Sequence, residues 1–182
     1  MSEPSPTTLP GPVAAVVGAI RAHPAITFTV VAVLLGLLVM RLVTPPLADV
    51  RDALEGDCFG GNPLTITGNV PGDVNVVPGY ATGIQRVACA EPHIWESLGL
   101  SRLGEPEGAP YPVDTIEALA ADACAARFAP FVGRPLAESE LSATAFHPTR
   151  EDWEVRAERR VACMVVDPSV PTVTGSLQGA DR

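Results

Sequence analysis

The chain has 182 residues, 47% of them hydrophobic and 18% charged, with a formal net charge of −9. All 12 basic residues are arginine; Arg21, Arg41 and one acid, Glu3, precede residue 44, which leaves about −10 on the rest. A surface of that sign repels phosphate backbones and no basic patch relieves it, so nucleic acid is excluded as a partner.

Mean hydropathy is +0.24, high for an acidic chain, so the apolar residues must be concentrated somewhere. Residues 1–12 are mostly Pro, Ser and Thr and cannot bury a core. Residues 13–22 are apolar and suit a short interfacial helix that Pro24 interrupts. Together 1–24 are expected to be a disordered or interfacial tail. Residues 25–40 carry no charge. With their flanks they give about 20 apolar positions, the length of helix that a bilayer core of about 30 Å requires. A transmembrane helix is expected over 25–43. A core helix so uniformly apolar would need a larger protein around it. A cleaved signal fits poorly, because the segment starts late and its exit, Val43-Thr44-Pro45-Pro46, lacks an A-x-A-like site.

Flanking charges do not decide orientation, since Arg21 and His23 lie at one end and Arg41 at the other. The four cysteines all follow the span and point to an oxidising compartment. The expected localisation is the plasma membrane, single-pass, with the N-terminus cytoplasmic and the C-terminal domain extracytoplasmic.

A stalk is expected over 44–56, stiffened by Pro45-Pro46 and holding a short helix that ends at Gly56. The ectodomain is expected over 57–167. Gly56-Asp57-Cys58-Phe59-Gly60-Gly61 reads as a tight turn into it. Short strands are expected near 64–67 and 74–77, then over 84–89. Next comes Cys89-Ala90-Glu91-Pro92-His93-Ile94-Trp95-Glu96. This octet places a cysteine, a proline, an imidazole, a large aromatic and two carboxylates within eight residues. Pro92 makes a turn or an edge there, and 93–100 is expected as a strand pairing back on 84–89.

Asp114-Thr115-Ile116-Glu117 reads as a capping box for a helix running to about Phe131 and stopped by Gly133. Ile116, Leu119, Ala120, Ala123, Cys124, Phe128 and Phe131 form one stripe, which turns Cys124 to the core. A strand over 141–147, a turn at 148–153 and a last strand over 159–166 follow. Val161, Cys163 and Val165 share one face of that strand. Residues 168–182 lack apolar periodicity and are expected to be a flexible tail. The fold class is α+β: a transmembrane helix, then a small disulfide-stapled ectodomain with one main helix packed on a small sheet.

The order of signals resembles the septum-formation domain family of actinobacterial membrane-anchored proteins. It comprises Gly56-Asp57-Cys58-Phe59, then Val87-Ala88-Cys89 with Pro92-His93 and Glu96, a helix carrying Cys124, then Trp153, Arg159 and Cys163. The resemblance covers about residues 54–167. One departure is visible: the family's Gly-Asp-Arg step after the tryptophan is Ala157-Glu158-Arg159 here. The resemblance implies an extracytoplasmic domain linked by name to cell division.

Four cysteines allow three pairings. Cys58–Cys89 and Cys124–Cys163 are expected, the second tying the helix stripe to the inward face of the last strand. Each loop would stabilise by about 3–4 kcal/mol on the chain-entropy model. A zinc site on Cys58, Cys89 and His93 is the rival, but no C-x-x-C ligand pair accompanies it; no metal and no cofactor are expected. His93 is a general base or pH sensor if Glu91 or Glu96 orients it, and a structural residue if it bonds backbone carbonyls. No nucleophile elbow accompanies it, so no residue is assigned as catalytic. His93, Glu96, Trp95, Trp153 and Arg159 are the candidate functional residues, with both tryptophans read first as core. The expected function is a non-enzymatic binding or scaffold protein with protein partners in the division or envelope machinery. The alternatives are an envelope enzyme using His93 with a carboxylate, or an accessory subunit of a larger membrane complex, for which Gly36 offers a close helix approach.

Overall fold

The computed structural model describes residues 24–43, 47–60, 69–106 and 108–182, with side chains over 28–38 of the first stretch. The expected tail over 1–23, the exit at 44–46 and the strand near 64–67 lie outside the described residues. The chain divides into two compact units, Met1–Pro45 and Pro46–Arg182.

In the first unit a helix, α1, covers Pro24–Val43, with proline at a helix start where its missing N–H does no harm. From Phe28 to Leu38 the large apolar side chains are exposed. Among the described residues no helix is long and apolar enough to cross a membrane. The span expected over 25–43 coincides with α1, whose side chains are described over part of its length.

The second unit is α+β. Its strands are β1 (Leu47–Asp49), β2 (Cys58–Gly60), β3 (Val74–Pro78), β4 (Thr82–Val87), β5 (Trp95–Arg102), β6 (Ser142–His147) and β7 (Arg160–Val166). They form one sheet in the order β1-β4-β2-β5-β7-β6-β3, antiparallel except for the β3–β6 pair. The main helix is α2 (Ile116–Val132), and a short helix, α3 (Arg150–Val155), precedes β7.

Strand β7 reads RVACMVV because both faces of the sheet are covered there. Val161, Cys163 and Val165 pack with Ile116, Ala120, Cys124, Phe128 and Phe131 of α2. Ala162, Met164 and Val166 face a second cluster with Val50, Phe59, Trp95 and Phe146. The stripe expected on α2 is therefore the buried one, and Cys124 is bonded to Cys163 across it. Gly133 ends α2 with φ 94°, a left-handed conformation that glycine adopts without penalty, and its N–H donates to the Ala129 carbonyl.

Five expectations are corrected. No Asp114 cap forms: Thr115 is the N-cap and makes no side-chain bond. The turn before it explains this, since the Pro112 carbonyl accepts from the N–H groups of Thr115 and Ile116. The capping box lies instead on α3, in the stretch expected to be a turn. The Thr149 side chain accepts from the Asp152 N–H, and Asp152 accepts from the Thr149 N–H. Strands β4 and β5 do not pair with each other, because β2 lies between them. The expected stalk helix is a strand followed by a 3-10 turn over Val50–Asp52, and β1 pairs with β4. Finally, 168–182 is not free: Leu177 is buried, the Gly179 and Asp181 N–H groups donate to the Phe131 and Val132 carbonyls, and Arg182 pairs with Asp167 at 2.7 Å. Those carbonyls are orphan acceptors at the end of α2, and the C-terminal segment satisfies them.

Candidate functional site

The octet is assembled by the register of β2. Cys58 lies opposite Val87 of β4 on one side and Glu96 of β5 on the other. The disulfide from Cys58 to Cys89, the expected partner, closes the gap past the end of β4. Between the two strands the chain turns at Ala88–Glu91, with the Glu91 N–H donating to the Ala88 carbonyl. Gly60 permits the close approach of β2 to this turn, since a Cβ there would stand 3.2 Å from the Pro92 carbonyl oxygen.

His93 is 0% exposed and Glu96 1%. His93 Nδ1 lies 2.9 Å from the Glu91 carbonyl oxygen, which can only accept, so Nδ1 carries the proton. Nε2 is buried and has no hydrogen-bond partner among the described residues. The backbone of His93 pairs with Val173 in both directions, at 2.9 and 2.8 Å. Two residues on, the Gly175 N–H donates to the Cys89 carbonyl at 2.7 Å. The Glu96 carboxylate then accepts from the Ser176 hydroxyl and the Leu177 N–H, both at 2.5 Å. Residues 173–177 thus lie over the octet and close it.

The other candidates belong to the core. Trp95 meets Phe146 edge to face with centroids 5.8 Å apart. Trp153 is buried and its Nε1–H donates to the Ala109 carbonyl at 2.8 Å. Arg159 stacks over the Trp153 ring at 3.8 Å and donates from Nη1 to the Trp153 carbonyl at 2.7 Å. Neither tryptophan forms an exposed patch, and Arg159 holds the turn between α3 and β7. At that turn Ala157 has φ 52°, the left-handed region, at the departure from the Gly-Asp-Arg step. Glu158 then accepts from the Arg159 and Arg160 N–H groups and the Arg160 guanidinium.

Val173, Ser176 and Leu177 escape sequence reasoning. They act through backbone groups and one hydroxyl, and Val173 and Leu177, four apart, are the one visible trace of burial. On the surface, a groove between β1 and β4 is lined by Leu47, Ala48, Asp49, Asp52, Thr82, Gly83 and Arg86, and includes no octet residue.

A short strand knitting a disulfide, a buried histidine and a buried carboxylate under a C-terminal strap defines a stapled α+β domain with a closed polar centre. The chain belongs to the septum formation family, whose family model matches residues 74–182. That match starts later than the resemblance over 54–167 and extends through the strap. No match was found among the curated proteins or the solved structures.

Proposed function

We propose that the protein is a single-pass membrane protein whose extracytoplasmic domain serves as a non-enzymatic binding or scaffold module in septum formation or envelope assembly. The observation that carries this reading is the closure of the octet. His93 and Glu96, one of the two histidine–carboxylate pairs expected for chemistry, are 0% and 1% exposed, and the carboxylate is engaged by the strap; of the other carboxylate, Glu91, only the backbone carbonyl meets the His93 ring. A general base must reach the proton it abstracts, and among the described residues both groups are buried away from the surface. Family membership supports the division context. The sequence supports an anchor, because residues 25–40 carry no charge and with their flanks give about 20 mostly apolar positions, the number that a bilayer core of about 30 Å requires. The two disulfides favour an oxidising compartment outside the membrane.

Two fusions and one variant test this. Alkaline phosphatase attached after residue 60 should be active and after residue 15 inactive; the reverse would sink the orientation. His93→Gln should lower abundance and any growth phenotype together, as loss of a packed structural group does. A fully expressed, stable His93→Gln protein without function would move the enzyme reading to the front.

A further inference from the structure

Cys58 Sγ, a ring nitrogen of His93 and a carboxylate oxygen of Glu96 all lie within 4.8 Å of one another, and all three residues are buried. Cys89 Sγ is bonded to Cys58 Sγ at 1.99 Å and lies just outside this group of three, 3.4 Å from the Gly56 carbonyl oxygen. One sulfur, an imidazole nitrogen and a carboxylate oxygen thus converge from β2 and the octet, with a second sulfur bonded to the first.

Two further features point to a ligand. The first is His93 Nε2, buried and without a partner, when an unsatisfied buried polar atom is costly and native domains rarely leave one. With Nδ1–H held on the Glu91 carbonyl, Nε2 is left with a lone pair that no described residue engages. That is the arrangement by which metal-ligating histidines are oriented, the second ring nitrogen donating to a backbone carbonyl. The second is the support of Glu96, whose carboxylate is fixed by Ser176 and Leu177 while each oxygen keeps a free lone pair.

We propose that when the Cys58–Cys89 disulfide is reduced, Cys58, Cys89, His93 and Glu96 bind one zinc-class divalent cation, so that the domain exchanges a disulfide for a metal at the same point. The reductant is a dithiol. Its two thiols become a disulfide as two electrons and two protons pass to the Cys58 and Cys89 sulfurs. On binding the cation both thiols lose their protons to solvent, His93 coordinates as neutral imidazole through Nε2, and Glu96 supplies the fourth donor. Thiolate and imidazole donors in a four-coordinate set select zinc over magnesium or calcium. Around a tetrahedral zinc the donor atoms stand about 3.3–3.8 Å apart. Cys58, His93 and Glu96 must therefore draw in by about 1 Å and Cys89 must swing in beside them, movements that side-chain rotation allows once the sulfur–sulfur bond is open.

The second disulfide does not compete. Cys124 and Cys163 are 0% exposed in the core beneath α2, whereas Cys89 is half-buried. Mild reduction should therefore open Cys58–Cys89 first and leave Cys124–Cys163 to hold helix on sheet.

The test uses the full chain in detergent, treated anaerobically with limiting dithiothreitol until peptide mapping shows Cys58 and Cys89 reduced and Cys124–Cys163 intact. Cobalt(II) is then titrated as a spectroscopic probe. Expected is one equivalent of cobalt with the visible bands of tetrahedral thiolate coordination, displaced by zinc and absent from the oxidised protein. His93→Gln and Glu96→Gln should each weaken binding about tenfold or more. The proposal fails if the reduced, folded protein gives no tetrahedral spectrum, if reduction unfolds the domain, or if both variants bind as tightly as the parent, which would mean two thiols chelating alone.

Discussion

Ala157 occupies the backbone conformation that suits glycine. At φ 52° its Cβ crowds the neighbouring carbonyl, at a cost of about 1–2 kcal/mol for a non-glycine residue. The chain bears this because the turn places Glu158 to accept from Arg159 and Arg160 and sets Arg159 over Trp153. Ala157→Gly should relieve the crowding and stabilise the domain by about 0.5–1 kcal/mol after the added freedom of the unfolded chain is subtracted. Urea titration of the two proteins, with the midpoint moving up at constant slope, is the check; an unchanged or lower midpoint would mean the turn is not strained. The departure at this step is visible in sequence as a missing glycine. Its consequence is not, because the backbone angle depends on what Glu158 and Arg159 reach.

The elements differ in how far their sequences disclose them. Helix α2 is legible because seventeen residues carry a stripe with a glycine stop. Strand β2 is not, because three residues, the last of them the first of two glycines, cannot show a period of two, yet this strand separates β4 from β5 and sets Cys58 beside Glu96. Helix α3 is disguised by its length of six residues and by aspartate where a capping box usually has glutamate or glutamine. Its cap is nevertheless complete, with Thr149 and Asp152 each satisfying the other's backbone. Thr149→Ala should cost about 1 kcal/mol, whereas Thr149→Ser should be near neutral. Thermal unfolding separates the two: equal losses would show that the threonine methyl, not its oxygen, matters.

At the scale of the whole molecule, acid should loosen the domain in a defined direction. Hydrogen bonds from Arg160 hold the Glu158 carboxyl below its ordinary range, against some desolvation. Burial pushes Asp152 and Asp167 up, but Thr149 and Arg156 for the first, and Ser169 and Arg182 for the second, more than offset it, so both are lowered. For groups depressed in the folded state, the unfolded chain takes up protons first. Their contribution is fully present above the unfolded values near pH 4 and is lost as pH falls through the lower folded values. The urea midpoint should hold between about pH 5 and 7 and drop progressively below about pH 4; a flat profile to pH 2.5 would show that these pairs add nothing. Both disulfide pairings are legible in the chain, because Cys124 lies on the helix stripe and Cys163 on the inward face of its strand. The polar centre is legible only in its octet half. The other half is backbone N–H groups in a stretch without periodicity, and backbone groups leave no mark on composition.

Glu96 and the donors that satisfy it, Ser176 and Leu177, are 80 and 81 positions apart. The octet is therefore synthesised long before its cover. Until residues 173–177 arrive, burying Glu96 would strand a carboxylate in a dry interior, so the middle of the sheet must stay open to water. Cys58 and Cys89 are only 31 positions apart and can be joined or opened throughout that interval. The strap acts as a clock: it delays final closure to the end of the domain's synthesis, and it keeps the sulfur pair within reach of solvent chemistry while the chain is still being made and moved.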